Sequence, residues 1–494
     1  MLTLAHVLEA LTGYQSAGGS QIITDVALDS RLTIPGSLFV ARPGERTDGH
    51  TFVSAAFAKG AIAALVQHEI PGDFNTLDLR EPVTYAQATT FPLPVCLRVE
   101  DTLKAMQTLA RYWRNRLRLR VVGVTGSVGK TTSKEVIAAV LGTRYRTFKT
   151  EGNYNNEIGL PLMLLKLSEA HERAVLEMGF YQVGEIAFLC EIARPQVGVV
   201  NNVYAVHLER AGSLENIAQG KGELVEALPP APEGVAVLNY DDPLVLAMRN
   251  RTRARLFTYG LDPAADLWAD NIESRGLDGI YFHLHFQRET LHLKVPLLGR
   301  HSVHTALRAA AVGLVEGLTW QDIVEGLQSI GAAQLRLVAV RGPDGSLILD
   351  DTYNASPESV LAALNLLHEL EGRRVAVLGD MLELGTYEEE GHRLVGRRAR
   401  EVVDLLVTVG PRARFISDEA RRYGLPAGTV VELENSDEAL AYLRGEIRAG
   451  DVVLIKGSRG VKLDWIVPGL GAEGEPYRCK TKPSRWRSAA SRFC

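Results

Sequence analysis

The chain has 494 residues, of which 46% are hydrophobic and 23% are charged. This composition is ordinary for a globular protein, and the length predicts about three domains. The formal net charge of −5 at pH 7 excludes an overall basic field that would attract nucleic acid. No uncharged apolar stretch approaches the ~18 residues of a membrane helix, and residues 1–10 lack a signal-peptide pattern. We therefore expect a cytoplasmic protein without a transmembrane segment.

The cysteines and the C-terminal tail predict no dedicated site. The four cysteines are scattered without metal-ligand spacing, which favours free thiols. Residues 476–494 form a tail with six basic and no acidic side chains. Such a tail can contact anionic lipid or polyphosphate, whereas its lack of apolar periodicity favours a solvated, disordered end.

Short strands alternate with helices along three blocks of the chain, which predicts α/β domains with parallel sheets. The blocks are residues 1–100, 101–333 and 334–475, and the basic tail follows them. Helices are predicted at residues 55–64, 102–116, 133–141, 160–167, 213–228, 359–369 and 436–449. Strands are predicted at residues 119–124, 174–177, 197–201, 347–350, 374–378, 405–409 and 452–455.

A glycine-rich loop, residues 123–132, lies between a predicted strand and a predicted helix and reads Gly-Val-Thr-Gly-Ser-Val-Gly-Lys-Thr-Thr. Backbone N–H groups of such a loop point at phosphate oxygens, and the helix N-terminus adds partial positive charge. Lys130 can reach the β- and γ-phosphates, and the hydroxyl of Thr131 can ligate Mg²⁺. The residues predicted to contact the nucleotide are Gly126, Ser127, Gly129, Lys130, Thr131 and Thr132. The loop predicts binding of ATP or GTP, although Val124 stands where the usual pattern has its first glycine.

Polar residues follow several predicted strand ends, where ligands bind in open α/β sheets. They are Glu177, Asn201, Asn202, Asp351, Asp380 and Lys456. Their recurrence across two blocks predicts a site in the cleft between two domains. Glu177 can ligate the Mg²⁺ that bridges the nucleotide phosphates, and the alternative is a helix cap or a surface carboxylate.

A histidine, a lysine and a group of asparagines each have a functional and a structural interpretation. His207 lies past a predicted strand, where a lone histidine is more often structural than a ligand. Lys221 lies early in a predicted helix, where a lysine is ordinarily solvated. Asn153, Asn155 and Asn156 precede an apolar helix and can hold a carboxylate or a phosphate, because capping explains only one of the three amides.

The motifs together resemble the Mur ligase family. The matching strings are Asp29-Ser30-Arg31, Asp48-Gly49-His50 and those at residues 125–132, 151–161, 177–179, 207–209, 299–301, 351–357, 379–385 and 456–460. They cover nearly everything from about residue 20 to 465 in the family order, which is far more specific than any single motif. The resemblance implies three α/β domains: a small UDP-sugar-binding domain, a central P-loop ATPase domain with a parallel sheet, and a Rossmann-like C-terminal ligase domain. The resemblance also implies that a residue other than glycine at position 124 is the usual loop pattern of this family.

In the central domain, the resemblance implies a phosphoryl-transfer site with two metal ions. Lys130 and Thr131 match phosphate and Mg²⁺ contacts, and Glu177 and His207 match further metal ligands. Lys221 matches the family's carbamylated lysine, in which a CO₂ adduct turns an ammonium into a carboxylate-like ligand of Mg²⁺. The implied catalytic residues are Lys130, His207, Lys221 and Arg336.

In the outer domains, the resemblance implies contacts to the substrates. Arg336 and Asp351 match residues that reach ATP from the third domain. The residues matched to UDP-sugar contacts are Ser30, Arg31, Gly49 and His50. The residues matched to the incoming amine or the acyl phosphate are Lys456, Ser458 and Arg459, and Asn155 and Asn156 complete the expected substrate contacts.

Two strings depart from the family pattern. Ser302 and Thr305 replace both asparagines of the usual Gly-x-His-Asn-x-x-Asn, which leaves the adenine contacts from this helix without their usual residues. Residues 204–207 read Tyr-Ala-Val-His and keep only the histidine of the usual Gly-Pro-Ala-His.

Within the family, the strings indicate an ATP-dependent ligase of peptidoglycan precursor synthesis, which adds D-alanyl-D-alanine to UDP-N-acetylmuramoyl-tripeptide (UDP-MurNAc-tripeptide). The implied products are UDP-MurNAc-pentapeptide, ADP and phosphate, formed through an acyl phosphate. Mg²⁺, Lys130 and Arg336 would offset the repulsion between the carboxylate and the γ-phosphate. We expect a monomer without a nucleic-acid partner. The third residue of the tripeptide, diaminopimelate or lysine, stays open.

Three alternatives to this activity can be weighed against the sequence. A sister ligase that adds the third peptide residue would carry an Asp-Asn-Pro-Arg string, which is absent. A folylpolyglutamate-type ligase would lack Asp29-Ser30-Arg31 in a UDP-sugar-binding domain. A nucleotide-binding regulatory protein would have no need of the complete set of Glu177, His207 and Lys221.

Overall fold

The computed structural model describes residues 1–15, 18–44, 47–81, 92–331 and 336–471, so the predicted basic tail lies outside the described residues. The chain divides into two compact units. The first unit comprises Met1–Trp268, His285–Glu289 and His304–Ser329, and the second comprises Ala269–Leu284, Thr290–Val303 and the chain from Ile330 onward. Within the described ranges, no helix is both long and apolar enough to cross a membrane. The domain boundaries given above stay predictions.

A five-stranded parallel sheet forms the N-terminal part of the first unit. Its strands are β1 Val26–Ala27, β2 Leu38–Val40, β3 Ala63–Val66, β4 Asn75–Asp78 and β5 Val95–Arg98, in the order β1-β2-β3-β5-β4. Its helices are α1 Leu4–Thr12 and α2 Val53–Ala58. The predicted helix at 55–64 is therefore wrong in its second half, because the chain turns at Gly60 (φ 98°) and enters the fully buried β3. A short apolar run suits a central parallel strand whose two faces are both covered.

A second parallel sheet of the first unit carries the glycine-rich loop. Its strands are β6 Arg120–Thr125, β7 Thr147–Lys149, β8 Arg173–Glu177, β9 Val197–Val200, β10 Val235–Asn239 and β11 Arg255–Gly260, in the order β11-β10-β9-β6-β8-β7. Its helices are α3 Thr102–Arg116, α4 Lys130–Gly142, α5 Gly159–Leu165, α6 Glu185–Ala193, α7 Leu208–Ala211, α8 Leu214–Glu226, α9 Pro243–Ala247, α10 Val303–Val315 and α11 Trp320–Gln328. The predicted strands of this region are confirmed to within one residue, which places their polar ends at one edge of the sheet.

Three strands between residues 267 and 295 were not predicted. They are β12 Leu267–Ser274, which begins beside β11, β13 Ile280–Phe286 and β14 Glu289–Val295. In β13, buried Ile280, Phe282 and Leu284 alternate with partly exposed residues. This period-2 pattern with short turns is typical of antiparallel strands and does not follow the strand–helix alternation of the rest of the chain.

The second unit contains a six-stranded sheet. Its strands are β15 Val338–Arg341, β16 Leu347–Asp351, β17 Arg374–Gly379, β18 Leu405–Val409, β19 Val430–Leu433 and β20 Val452–Lys456, in the order β15-β16-β20-β17-β18-β19. Its helices are α12 Pro357–Glu369, α13 Glu388–Val402, α14 Arg414–Arg422, α15 Ser436–Glu446 and α16 Ile466–Gly469. Of these six strands only β15 is antiparallel to its neighbour, and the four predicted strands are confirmed. The carboxyl ends of β16 and β20 therefore lie side by side.

Candidate active site

The glycine-rich loop joins the end of β6 to the start of α4, and two of its glycines have geometric reasons to be there. Gly129 caps α4 with φ 78°, a left-handed conformation that other residues rarely adopt. A Cβ on Gly126 would lie 2.6 Å from the Cβ of Asn201, so no side chain fits there. The loop thus lies close against the end of β9, and its backbone is positioned as in a phosphate-binding turn.

The two asparagines that follow β9 form hydrogen bonds with the glycine-rich loop. Asn202 accepts hydrogen bonds from two loop amides, Ser127 N at its backbone oxygen (3.0 Å) and Val128 N at Oδ1 (2.8 Å). Asn201 Nδ2 donates to the Val128 oxygen at 3.2 Å and to Ser133 Oγ at 3.0 Å. These strand-end amides, identified from the sequence as cleft residues, support the loop.

The predicted phosphate and metal contacts lie together at the carboxyl ends of β6 and β8. Lys130 Nζ donates to the Gly126 oxygen at 2.8 Å, so that the ammonium lies over the loop. Glu177 is fully buried, and its two carboxylate oxygens accept from Thr131 Oγ1 at 2.9 Å and from Asn155 Nδ2 at 2.8 Å. Hydroxyl and carboxylate oxygens are the ligands that Mg²⁺ prefers. Because this buried carboxylate forms no ion pair within the described part of the chain, the donor set fits a divalent cation.

Lys221 lies on the buried face of α8, so the expectation of a solvated helix residue is wrong. Its side chain is 1% exposed, and Nζ lies 4.9 Å from the centroid of the Phe180 ring. Burial, with a smaller contribution from the Lys130 ammonium, holds the pKa of Lys221 well below its ordinary value. Across the described ranges, the amine forms no ion pair with a carboxylate. Helix α8 thus buries an amine whose pKa is shifted toward the uncharged form.

His207 and Asn156 have local structural contacts. His207 adopts φ 58° at the start of α7, and its ring meets Tyr181 edge-on with 5.1 Å between the ring centroids. Asn156 Oδ1 accepts from the backbone N–H groups of Gly159 (2.9 Å) and Ile158 (3.3 Å). The Asn156 amide thus caps the start of α5, whereas the Asn155 amide contacts the predicted metal ligand Glu177.

The predicted UDP-sugar residues form two turns of the N-terminal sheet. Asp29 caps the turn that contains Ser30 and Arg31, and the hydrogen bonds of the Arg31 guanidinium lower the pKa of Asp29 to about 2. His50 is buried; its Nδ1 lies 2.6 Å from Asp48 Oδ1, and its Nε2 accepts from the Gln67 amide at 2.9 Å. This pairing fixes a neutral tautomer with Nδ1 protonated. Both ring nitrogens of His50 are therefore used to hold the turn.

Gly49, the neighbour of His50, is also required by packing. A Cβ on Gly49 would lie 2.6 Å from the backbone oxygen of Arg42. The side chain of the preceding residue, Asp48, accepts from the His50 amide and so holds the same turn. In the predicted sugar site, Arg31 is exposed and paired with Asp29, whereas the turn at Gly49 is packed closely against the backbone of Arg42.

In the second unit, the ends of β16 and β20 bring the predicted residues together. Lys456 is 2% exposed, and its ammonium donates to Asp351 Oδ2 at 2.6 Å and to the Asn354 oxygen at 2.9 Å. Ser458 Oγ accepts from the Leu382 amide at 2.9 Å and so holds the loop after β17. The sequence pattern indicated both strand ends, and the structure adds the direct ion pair.

Two predicted arginines of the same unit share one tyrosine. The Arg336 guanidinium lies over the Tyr353 ring with Cζ 4.0 Å from its centroid, and Arg459 Cζ lies 5.8 Å from the same centroid. Tyr353 follows β16 and is exposed. The ring holds two cations beside the carboxyl end of the sheet, where anionic groups bind.

Sequence reasoning missed a buried arginine beneath the phosphate loop. Arg308 on α10 donates from Nη1 to Ser133 Oγ at 2.6 Å and from Nε to the Tyr259 hydroxyl at 3.0 Å. Burial raises the pKa of Tyr259, which keeps that hydroxyl protonated. The available signal was a single arginine within the apolar, alanine-rich run of α10.

Three models of Mur ligase family domains match successive parts of the chain. They are the Mur ligase family catalytic domain at residues 22–94, the Mur ligase middle domain at 124–313 and the Mur ligase glutamate ligase domain at 335–459. The middle-domain match contains the loop, Glu177 and Lys221, and the third match contains Asp351 and Lys456.

Known relatives match nearly the whole chain. The UDP-N-acetylmuramoyl-tripeptide--D-alanyl-D-alanine ligase of Bacillus subtilis (strain 168) is 37% identical over 91% of this chain and 93% of its own length. A crystal structure of MurF from Acinetobacter baumannii has a TM-score of 0.81 at 29% identity, covering 96% of this chain and 100% of the other. MurF ligase from Thermotoga maritima, solved in complex with ADP, has a TM-score of 0.75 at 28% identity and covers 94% and 98%.

Proposed function

The chain belongs to the Mur ligase family, and we propose that it is the ATP-dependent ligase that adds D-alanyl-D-alanine to UDP-MurNAc-tripeptide. The observation that carries the proposal is the hydrogen-bonded group of Thr131, the buried Glu177 and Asn155 beside a phosphate loop, with the buried amine of Lys221 in the same domain. The nucleotide is ATP in this proposal, in keeping with the ADP named for the Thermotoga maritima relative.

The reaction requires activation of a carboxylate, which is a poor electrophile. The terminal carboxylate of the tripeptide attacks the γ-phosphorus of ATP, and ADP leaves. Lys130, whose ammonium lies over the loop, neutralises the two anions that must meet. The amine of D-alanyl-D-alanine then attacks the acyl carbon, the amine loses a proton and phosphate leaves. The expected product is UDP-MurNAc-pentapeptide.

Thr131, Glu177, His207 and Lys221 are the residues that would hold Mg²⁺. When bound, Mg²⁺ neutralises charge on the phosphate oxygens as a Lewis acid. Glu177 supplies a buried carboxylate whose orientation is set by Asn155, and Thr131 supplies a hydroxyl at the start of α4. The hydrogen bond between Thr131 Oγ1 and Glu177 Oε2 places these two oxygens 2.9 Å apart.

Lys221 acts as a metal ligand in this proposal only after reaction with CO₂. Its neutral nitrogen attacks the carbon of CO₂, one proton is released and a carbamate anion forms. An ammonium cannot make this bond, so the lowered pKa of Lys221 is what the step requires. Burial and the absence of an ion pair in the described ranges favour the uncharged amine, whereas the contact with the face of the Phe180 ring favours the ammonium.

The outer domains supply the remaining substrate contacts in this proposal. Ser30, Arg31, Gly49 and His50 hold the UDP-sugar, with exposed Arg31 as the cation for its phosphates. Arg336 and Asp351 contact ATP, and Lys456, Ser458 and Arg459 contact the acyl phosphate or the incoming amine. The guanidinium groups of Arg336 and Arg459 are held by Tyr353 for that purpose.

The test is phosphate release by the purified full-length chain with ATP, Mg²⁺, UDP-MurNAc-tripeptide and a panel of amine acceptors. D-alanyl-D-alanine should give the fastest release, and pentapeptide should form in equal amount. Equal release with UDP-MurNAc-dipeptide and a diamino acid would overturn the assignment in favour of the sister ligase. Tripeptides that carry diaminopimelate or lysine at the third position would identify the natural substrate.

A further inference from the structure

A chain of hydrogen bonds connects helix α10 to the turn of the phosphate loop. Ser133 Oγ donates to the Gly129 oxygen at 2.7 Å and accepts from Arg308 Nη1 at 2.6 Å. It also accepts from Asn201 Nδ2 at 3.0 Å. A hydroxyl has one proton and two lone pairs, so Ser133 is fully satisfied by these three partners. The Arg308 guanidinium is thus linked through Ser133 Oγ to the carbonyl of the glycine that caps α4, which also accepts from the Ser133 backbone N–H at 2.9 Å.

The Arg308 guanidinium is itself fixed by its surroundings. The side chain is 3% exposed, and Nε donates to the Tyr259 hydroxyl at 3.0 Å. Nη1 also contacts Thr305 Oγ1 at 3.3 Å, so one of the residues that depart from the family pattern takes part in the network. The three anchors are hydroxyls on α4, β11 and α10, which leaves the guanidinium little freedom.

This buried cation has no negative partner in the described ranges of the chain, where its hydrogen-bond acceptors are neutral hydroxyls. Burial of an unpaired charge is costly, and the interaction between charges is strong where water is excluded. Nη1 lies 4.0 Å from the point at which a side chain on Gly129 would begin, so the charge lies directly under the phosphate-binding turn.

We propose that Arg308 is a positioning residue of the nucleotide site, which fixes the phosphate-loop turn through Ser133 and whose charge is balanced by the nucleotide phosphates. The proposal rests on the proposed function only in taking the loop to bind a nucleotide. The proposal adds Arg308 of α10 to the cations of the nucleotide site. From the central domain, the sequence indicated only Lys130 as such a cation.

The experiment is calorimetric titration of ADP with Mg²⁺ into the full-length wild-type protein and into Arg308→Met and Arg308→Lys. Arg308→Met should raise the Kd of ADP at least about tenfold, because it removes a buried charge that faces phosphate. Arg308→Lys should lose less, because lysine keeps the charge without the planar fork. In the ligase assay, Arg308→Met should raise the KM of ATP and leave the KM of D-alanyl-D-alanine unchanged.

A second buried arginine provides the matched control. Arg114 on α3 is 4% exposed and donates to backbone oxygens of Ala193, Leu117 and Leu119, so it stabilises structure away from the loop. Arg114→Met should lower the Tm and leave the Kd of ADP unchanged. An equal change of Kd in the two methionine variants, or no change in Arg308→Met, would overturn the proposal.

Tyr259→Phe keeps the test decisive if Arg308→Met fails to fold. This variant retains the ring and removes only the hydroxyl that anchors Arg308 Nε, and the Kd of ADP should rise about two- to threefold. Wild-type affinity in Tyr259→Phe would then overturn the proposal. Wild-type protein that binds ADP but forms no pentapeptide would refute the proposed function and leave the role of Arg308 standing on its own titrations.

Discussion

Lys221 of the first unit and Lys456 of the second unit are both buried, and they lie in opposite electrostatic surroundings. Lys456, at the end of β20, forms an ion pair with Asp351 at 2.6 Å and a second hydrogen bond with the Asn354 oxygen. Lys221, on α8, faces the Phe180 ring, feels the positive charge of Lys130 and forms no ion pair within the described residues. The same residue type thus forms an ion pair in the second unit, whereas in the first unit burial lowers its pKa.

The difference shows what burial alone does to a lysine. Without a carboxylate, burial favours the uncharged amine, which is the form that reacts with CO₂. With a carboxylate in hydrogen-bond contact, the charged pair is retained and can hold an anionic substrate group nearby. The partner of each lysine, more than its depth, decides which chemistry it can carry out.

Replacement of each lysine by methionine should separate the two cases most strongly in stability. Lys456→Met leaves the Asp351 carboxylate buried without its cation and should cost about 3–5 kcal/mol of the free energy of unfolding. Lys221→Met removes an amine that forms no ion pair within the described residues and should leave that free energy within about 1 kcal/mol of wild type, or raise it. Native-state hydrogen exchange of amides in β16 and β6 reports each unit separately.

The outcome that contradicts this comparison is equal destabilisation by the two substitutions. The double variant Lys456→Met with Asp351→Leu serves as the control, because it removes both charges. It should recover most of the stability lost in Lys456→Met if the loss comes from an unpaired carboxylate.

The next largest effect is expected in the activity of a Lys221 variant. Lys221→Ala should lower kcat about 100- to 1,000-fold, because it removes a carbamate that would ligate Mg²⁺ at the developing charge. Acetate or formate should restore part of the activity by supplying a carboxylate in the vacated space. Lys104→Ala, an exposed lysine of α3, is the matched control and should keep full activity without a response to acetate. Wild-type kcat in Lys221→Ala would return Lys221 to a structural role.

The contrast between these lysines marks how far the sequence could predict the site. The strand ends, the glycine-rich loop and Glu177 follow from local patterns, because hydrophobic runs and glycines report backbone geometry directly. The depth of Lys221 does not, since a lysine in an amphipathic helix is ordinarily solvated and only packing against the sheet buries it. The proposed role of Lys221 comes from the resemblance to a family, and the structure shows that the side chain is buried.

The contacts of Arg308 and the strands from 267 to 295 were not predicted from the sequence, for different reasons. The partners of Arg308 come from α4 and β11, distant in the chain, and no local pattern predicts such a network. The alternation in β13 was readable but conflicted with the expected strand–helix repeat. Only the second half of the helix predicted at 55–64 was wrong, because an apolar run of this length suits either a helix or a strand.

The pH dependence of stability sharpens the comparison further. The folded-state pKa of Lys221 is lowered well below 10.5, so between these values the unfolded chain binds a proton that the native chain lacks. The free energy of unfolding of wild type relative to Lys221→Met should therefore rise with pH below 10.5, by up to about 1.4 kcal/mol per pH unit. Urea unfolding in CO₂-depleted buffers measures the difference, and parallel pH profiles would contradict a neutral Lys221.

The smallest effect is expected from a substitution of Tyr353, an exposed residue of the same unit as Lys456. Tyr353→Leu removes the ring that holds Arg336 and Arg459, and each exposed cation–π contact contributes about 0.5–1 kcal/mol. The KM of ATP should therefore rise about two- to fivefold, with kcat nearly unchanged, because Arg336 then loses a ring contact that helps to order it before the nucleotide binds. Tyr423→Leu, an exposed tyrosine of the same unit, should leave both constants unchanged. If Tyr353→Leu lowers kcat and spares the KM of ATP, the tyrosine acts on the reaction step, and the second unit contributes more than an ion pair and a binding surface.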